Sequence, residues 1–119
     1  MTQKNNQTNF LLENMQNSET NVLIDSLQKT FKACLDTVKK KNADYSGKSV
    51  DPFKNFKNST VVGVSVEKAI LVRLMDKMSR ISSLVENNPE VKGEAITDTI
   101  DDAINYFAIL KAYIQNGKE

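Results

Sequence analysis

A chain of 119 residues holds one domain, or a slightly smaller domain with a tail, and can bury only a modest core. Hydrophobic residues make up 39% and charged residues 26%, and 16 Lys+Arg against 15 Asp+Glu leave a net charge of +1. No broad basic patch of the kind that releases counterions from duplex DNA is present, so extended duplex binding is not expected. With no histidine and one cysteine, a zinc site of the Cys/His type, a His-based triad and an intrachain disulfide are excluded.

Aromatic residues are sparse, at 7% with no Trp, which favours aliphatic helix packing over a β-sandwich. No apolar run approaches a membrane span and no signal-peptide core is seen, so the expected compartment is the cytosol and no membrane partner is expected.

Residues 1–17 are dominated by Asn and Gln and read as a flexible N-terminal arm, interrupted by Phe10-Leu11-Leu12, a stretch able to dock or to form a short helix. Residues 18–119 read as a single helical domain. From about Thr20 to Asn42, Val22, Leu23, Leu27, Phe31, Cys34, Leu35 and Val38 fall on one helical face, capped by Ser18 or Thr20. Cys34 reads as a buried, inert thiol. The run Lys39-Lys40-Lys41 would offset the macrodipole at the end of this helix.

Residues 43–64 read as a long connection punctuated by Gly47, Asp51-Pro52 and Gly63. Asp51 and Pro52 suit an N-cap and a first helical position, giving a short turn with Phe53 and Phe56 on one side. A connection this long is a candidate wall for a pocket. At its entrance, Lys41-Asn42-Ala43-Asp44-Tyr45 has two readings. It is either a capping turn, or a site where Tyr45, Phe53 and Phe56 stack on a base while Asn42 or Asp44 reads the edge of that base.

A second helix runs from about Ser65 to Glu86, with Ile70, Leu71, Leu74, Met75, Met78, Ile81 and Val85 as its core stripe. Arg73, Asp76, Arg80 and Ser83 lie opposite, with Lys77 at the flank. These charges form either a surface ion-pair ladder at three- and four-residue spacing or a cationic cradle for phosphate oxygens oriented by Asp76.

A third helix covers about Gly93 to Gln115, with Ile96, Ile100, Ala103, Ile104, Phe107, Leu110 and Ile114 on its main apolar face. Asp98, Asp102 and Asn105 lie on the other side, yet Ile109 and Tyr113 continue that polar line. The spacing therefore predicts two covered faces, one in the core and one against a pocket or a second subunit. Asp98 and Asp102 sit four apart, close enough to share a cation such as Mg²⁺, and Asp101 lies beside them. The plain alternative is that acidic residues suit the first turns of a helix.

No P-loop, dinucleotide fingerprint, CxxC pair or nucleophile motif occurs. Taken together, Lys41-Asn42-Ala43-Asp44-Tyr45, Phe53, Asn55-Phe56, the stretch Ile70 to Arg80, Asp98-Thr99, Asp102 and Asn105-Tyr106 resemble the nucleotide modification associated domain family of phages and prophages. The resemblance covers roughly residues 38–114. It implies an all-α domain that handles nucleotides or modified bases in phage DNA metabolism or phage–host conflict, and it adds Asn55 and Tyr106 to the ligand-binding set.

The layout is also similar to the all-α nucleoside triphosphate pyrophosphatases of the MazG and dimeric dUTPase type. Those enzymes hold Mg²⁺ with a Glu-x-x-Glu pair and a Glu-x-x-Asp pair. Here Asp98-x-x-Asp101 imitates the second pair, whereas Glu67 is followed three residues later by Ile70.

The expectation is thus a small all-α bundle of three long helices with a short helical turn in a long connection, assembled as a homo-oligomer. It captures a nucleotide, a cyclic nucleotide or a nucleotide-derived signal, as an anti-defence sponge or in nucleotide modification. The ligand-binding residues are Lys41, Asn42, Asp44, Tyr45, Phe53, Asn55, Phe56, Arg73, Asp76, Lys77, Arg80, Asn105 and Tyr106, with no cofactor. One alternative is a Mg²⁺-dependent nucleoside triphosphate pyrophosphohydrolase with Asp98 and Asp102 as metal ligands and catalytic groups, joined by Asp76. The other is a structural protein whose helices form an oligomer.

Overall fold

A computed structural model describes the backbone of residues 2–46, 53–87 and 92–117, and the side chains of residues 8–42, 53–86, 93 and 95–116. Among the described residues every regular element is helical and no strand occurs. In chain order these are α1 (Thr2–Ser46), α2 (Lys54–Lys57) with a 3₁₀ segment at Asn58–Val62, α3 (Val66–Asn87) and α4 (Lys92–Ala112). One π-helical turn, Tyr113–Gly117, extends α4. The all-α class read from the periodicity is the class observed.

The first helix differs from the sequence expectation at both ends. Its helical backbone runs through residues 2–17, where an arm was expected, and on through Ala43–Ser46, where a connection was expected. Asn, Gln and Lys are middling helix formers rather than breakers, and neither Gly nor Pro occurs before Gly47. The lysine run 39–41 accordingly lies inside the helix and not in its last turn. Ser65 caps α3, its Oγ accepting from the Lys68 backbone N–H at 3.2 Å, with Glu67 in the first turn.

Two compact units divide the chain, Met1–Ala33 and Cys34–Glu119. The first is a single stretch of α1, supported on its surface by an exposed Asp25–Lys29 pair at 2.9 Å. A lone helix cannot bury its own apolar side chains, and Phe10, Leu11, Met15, Val22, Leu23 and Phe31 are all exposed.

The second unit contains the core. Its main contact is between α3 and α4, an antiparallel hairpin closed by a four-residue connection. Val66, Ile70 and Leu74, spaced by four, form the buried stripe of α3. Among the described residues Thr99 and Ala103 are the buried positions of α4, and small side chains there allow close helix approach. Thr99 satisfies its hydroxyl within the helix, donating to the Ala95 carbonyl at 2.7 Å.

Cys34 is buried, as expected, and its Sγ donates to the Asp101 carbonyl at 3.7 Å, tying the end of α1 to α4. Burial first, and then the Asp101 charge, push its thiol above the ordinary value, which keeps it protonated and unreactive at neutral pH.

The stripes read from sequence are only partly core. Leu71, Met75, Met78 and Val85 on α3 are exposed, as are Ile100, Phe107 and Ile114 on α4. Two helices packed through one face each leave the neighbouring apolar positions uncovered. No described helix is long and apolar enough to cross a membrane.

Candidate functional site

The Cys34–Glu119 unit encloses a cleft of about 530 Å³, within the range of small-molecule sites. Its walls follow from helical spacing. On α1, Val38, Lys41 and Asn42 stand at i, i+3 and i+4, so all three turn to one side. On α4, Asp102, Asn105, Tyr106, Ile109 and Ala112 form a stripe down the same face. That stripe is the line on which Ile109 breaks the polar pattern in the sequence, and Ile109 stands partly buried on the cleft wall.

The segment at α2 supplies Phe53, Asn55 and Phe56, and α3 supplies Arg73. Its backbone is set by two devices. The Ser59 hydroxyl lies 2.7 Å from the Phe56 carbonyl and 2.9 Å from the Val64 carbonyl, and its single proton serves one or both. Gly63 then turns the chain with φ +80°, a left-handed conformation that ends the 3₁₀ segment and directs Val64 back to the Ser59 carbonyl at 3.1 Å. A Gly63→Ala variant meets no steric neighbour, so its cost is the left-handed backbone alone, about 1 kcal/mol. The expected result is a melting temperature lowered by roughly 5 °C with the helical signal retained.

Aromatic contacts then lock the wall to α4. Phe56 meets Tyr106 edge to face at 6.3 Å, and Phe53 meets Tyr113 in the same way at 5.3 Å. The Arg73 guanidinium lies over the Phe56 ring at 5.7 Å. Lys77, one turn further along α3, reaches across to α4 and pairs with Asp102 at 3.3 Å, both side chains about one-third exposed. The cleft therefore grades along α4 from a charged level at Lys77 and Asp102, through Arg73, Asn105 and the Phe56–Tyr106 pair, to an apolar end at Ile109, Ala112 and Phe53.

Of the residues singled out in the sequence, Lys41, Asn42, Phe53, Asn55, Phe56, Arg73, Asp102, Asn105 and Tyr106 come together on the cleft walls. Lys77 joins them through Asp102. Asp76, Arg80 and Asp98 are exposed and do not line the cleft. The side chains of Asp44 and Tyr45 lie outside the described residues.

The ion-pair ladder, one of the two readings of these charges, is not formed among the described residues: Arg73 turns to Phe56 and Lys77 to Asp102 instead. Likewise, no three His, Cys, Asp or Glu side chains converge among the described residues, so Asp76, Asp98 and Asp102 do not form one cluster. Asp98 and Asp102 share a helix face, yet the inter-helix pair draws only Asp102 inward. Val38 and Ala112 also line the cleft. Neither carries a chemical signal, and only their spacing from Asn42 and Ile109 places them there.

Family models, curated proteins and solved structures give no match to this chain.

Proposed function

We propose that the protein is a nucleotide-binding module that captures its ligand without turning it over. The observation that carries this reading is one cleft joining aromatic walls, three carboxamides and two cations. Aromatic faces suit stacking on a base, and Asn42, Asn55 and Asn105 offer both donors and acceptors to its edge. Lys41 and Arg73 suit a phosphate, Arg73 through its planar fork.

The residues that carry the likeness to the nucleotide modification associated domain family are in large part these same ones. That supports a phage-type role in the host cytosol, either sequestering a nucleotide-derived immune signal or serving nucleotide modification. Capture is favoured over hydrolysis because, among the described residues, Asp102 is the one carboxylate on the cleft wall and is matched to Lys77 rather than grouped with other carboxylates.

The test is equilibrium dialysis of the full chain against nucleoside mono- and triphosphates and cyclic dinucleotides, with and without Mg²⁺. Saturable binding with ligand recovered unchanged is the expected result. Release of pyrophosphate would make the protein a hydrolase, and failure to bind any of the panel would remove the nucleotide reading.

The reading includes self-association. The uncovered apolar positions of α3 (71, 75, 78 and 85) and of α4 (100, 107 and 114) recur at heptad intervals, the spacing by which helices pair with their own kind. A second copy of the chain is the proposed cover. Light scattering should give a mass of at least two chains, and Met75→Glu combined with Phe107→Glu should lower it. A monomeric mass for the wild type would refute this.

A further inference from the structure

We propose that Asp102 makes the cleft selective for guanine nucleotides, an inference that rests on the nucleotide reading above. Among the described residues Asp102 is the one acidic side chain on the cleft wall, and it stands one turn from Tyr106 and three residues from Asn105. A carboxylate in this position repels phosphate, so the phosphate of a bound nucleotide goes to Lys41 and Arg73. What a carboxylate accepts is an N–H donor, and its two oxygens are spaced for a pair of adjacent donors.

Among the common bases only guanine offers such a pair, N1–H beside the N2 amino group. Adenine and cytosine set one amino donor beside a ring nitrogen acceptor. Uracil and thymine flank their N3–H with two carbonyls. In each of those cases one carboxylate oxygen would face another acceptor.

The Lys77 ammonium, 3.3 Å from Oδ2, fixes the carboxylate from the α3 side. Each carboxylate oxygen carries two lone pairs, so Oδ2 can serve Lys77 and a base N–H together. Asn105, next along the same helix face, holds a carboxamide whose N–H can donate to guanine O6 or N7. The Phe56 and Tyr106 rings stand beside these groups, where a stacked base would lie. The opposing account is that Lys77 and Asp102 only brace α3 against α4.

The two accounts separate in dialysis of the full chain against GMP, AMP and xanthosine monophosphate. Xanthine keeps N1–H but replaces the N2 amino group with a carbonyl. The wild type is expected to prefer GMP over both others by about tenfold or more. In Asp102→Asn the carboxamide presents one donor and one acceptor, which match the xanthine edge, so the preference should invert toward xanthosine monophosphate.

A brace alone would lower the melting temperature of Asp102→Asn without altering the order of ligands, and that result overturns the proposal. Equal binding of the three ligands by the wild type overturns it as well, and needs no folded variant. Failure of the folded wild type to bind any of the three, or the wider panel, removes the nucleotide reading itself and this selectivity with it.

Discussion

A Phe56→Ala protein is expected to bind nucleotide about a hundredfold more weakly than the wild type while remaining folded. Three functions meet in this one ring. It is a cleft wall, it contacts Tyr106 edge to face, and it carries the Arg73 guanidinium on its surface. Stacking on a base contributes roughly 1–3 kcal/mol by alanine substitution. The edge contact adds about 1 kcal/mol through the position of Tyr106, and an exposed cation over the ring about as much again.

Phe56 is only half-buried, so its loss costs the fold less than its loss costs the site. Phe56→Leu should fall between the two, because it keeps much of the buried area but offers no ring face to the base or to Arg73. Titration calorimetry gives the affinities and thermal melting gives the stabilities. An unchanged affinity in Phe56→Ala would reduce the ring to a filler and move the base elsewhere in the cleft.

The sequence made the helices legible because their apolar spacing is strong. The start of α3 near Ser65 was legible, but the end of α1 was not: the lysine run 39–41 suggested a helix end near Asn42, and α1 continues to Ser46. The cleft was legible in one feature above all: Ile109 on an otherwise polar line of α4 pointed to a pocket or a second subunit on that side, and the cleft lies there. The pairing of charges was not legible. Arg73, Asp76, Lys77 and Arg80 are neighbours in sequence and invite a local ladder. Partners on other elements, Phe56 and Asp102, were the ones taken up.

Nor could spacing tell which apolar positions were core. Ile70 and Met75 lie on the same broad stripe, yet one is fully buried and the other 62% exposed. Which part of a wide stripe is covered depends on the angle at which the partner helix crosses, and that is not a local property of the sequence.

Ile70 is where stability and site are expected to separate in the opposite sense to Phe56. Among the described residues it is the one large side chain with no exposed surface, and Val66 and Leu74 flank it on the same buried stripe. Ile70→Ala removes three carbons from a core of few residues and leaves a cavity, at a cost of about 3 kcal/mol. A domain of this size holds a margin of roughly 5–15 kcal/mol, so the melting temperature should fall by about 10 °C or more.

Ile70→Val, with one methylene lost, should cost about 1 kcal/mol. Arg73 and Lys77 lie three and seven residues further along α3, beside the buried stripe, so their reach to Phe56 and Asp102 depends on α3 keeping its seat against α4. The valine variant keeps that seat and should bind nucleotide nearly as the wild type does. The alanine variant should lose affinity by a few-fold at temperatures where it is still folded, as the helix settles into the cavity. A melting temperature within about 2 °C of wild type for Ile70→Ala would mean that the α3–α4 contact is not the core that positions the cleft.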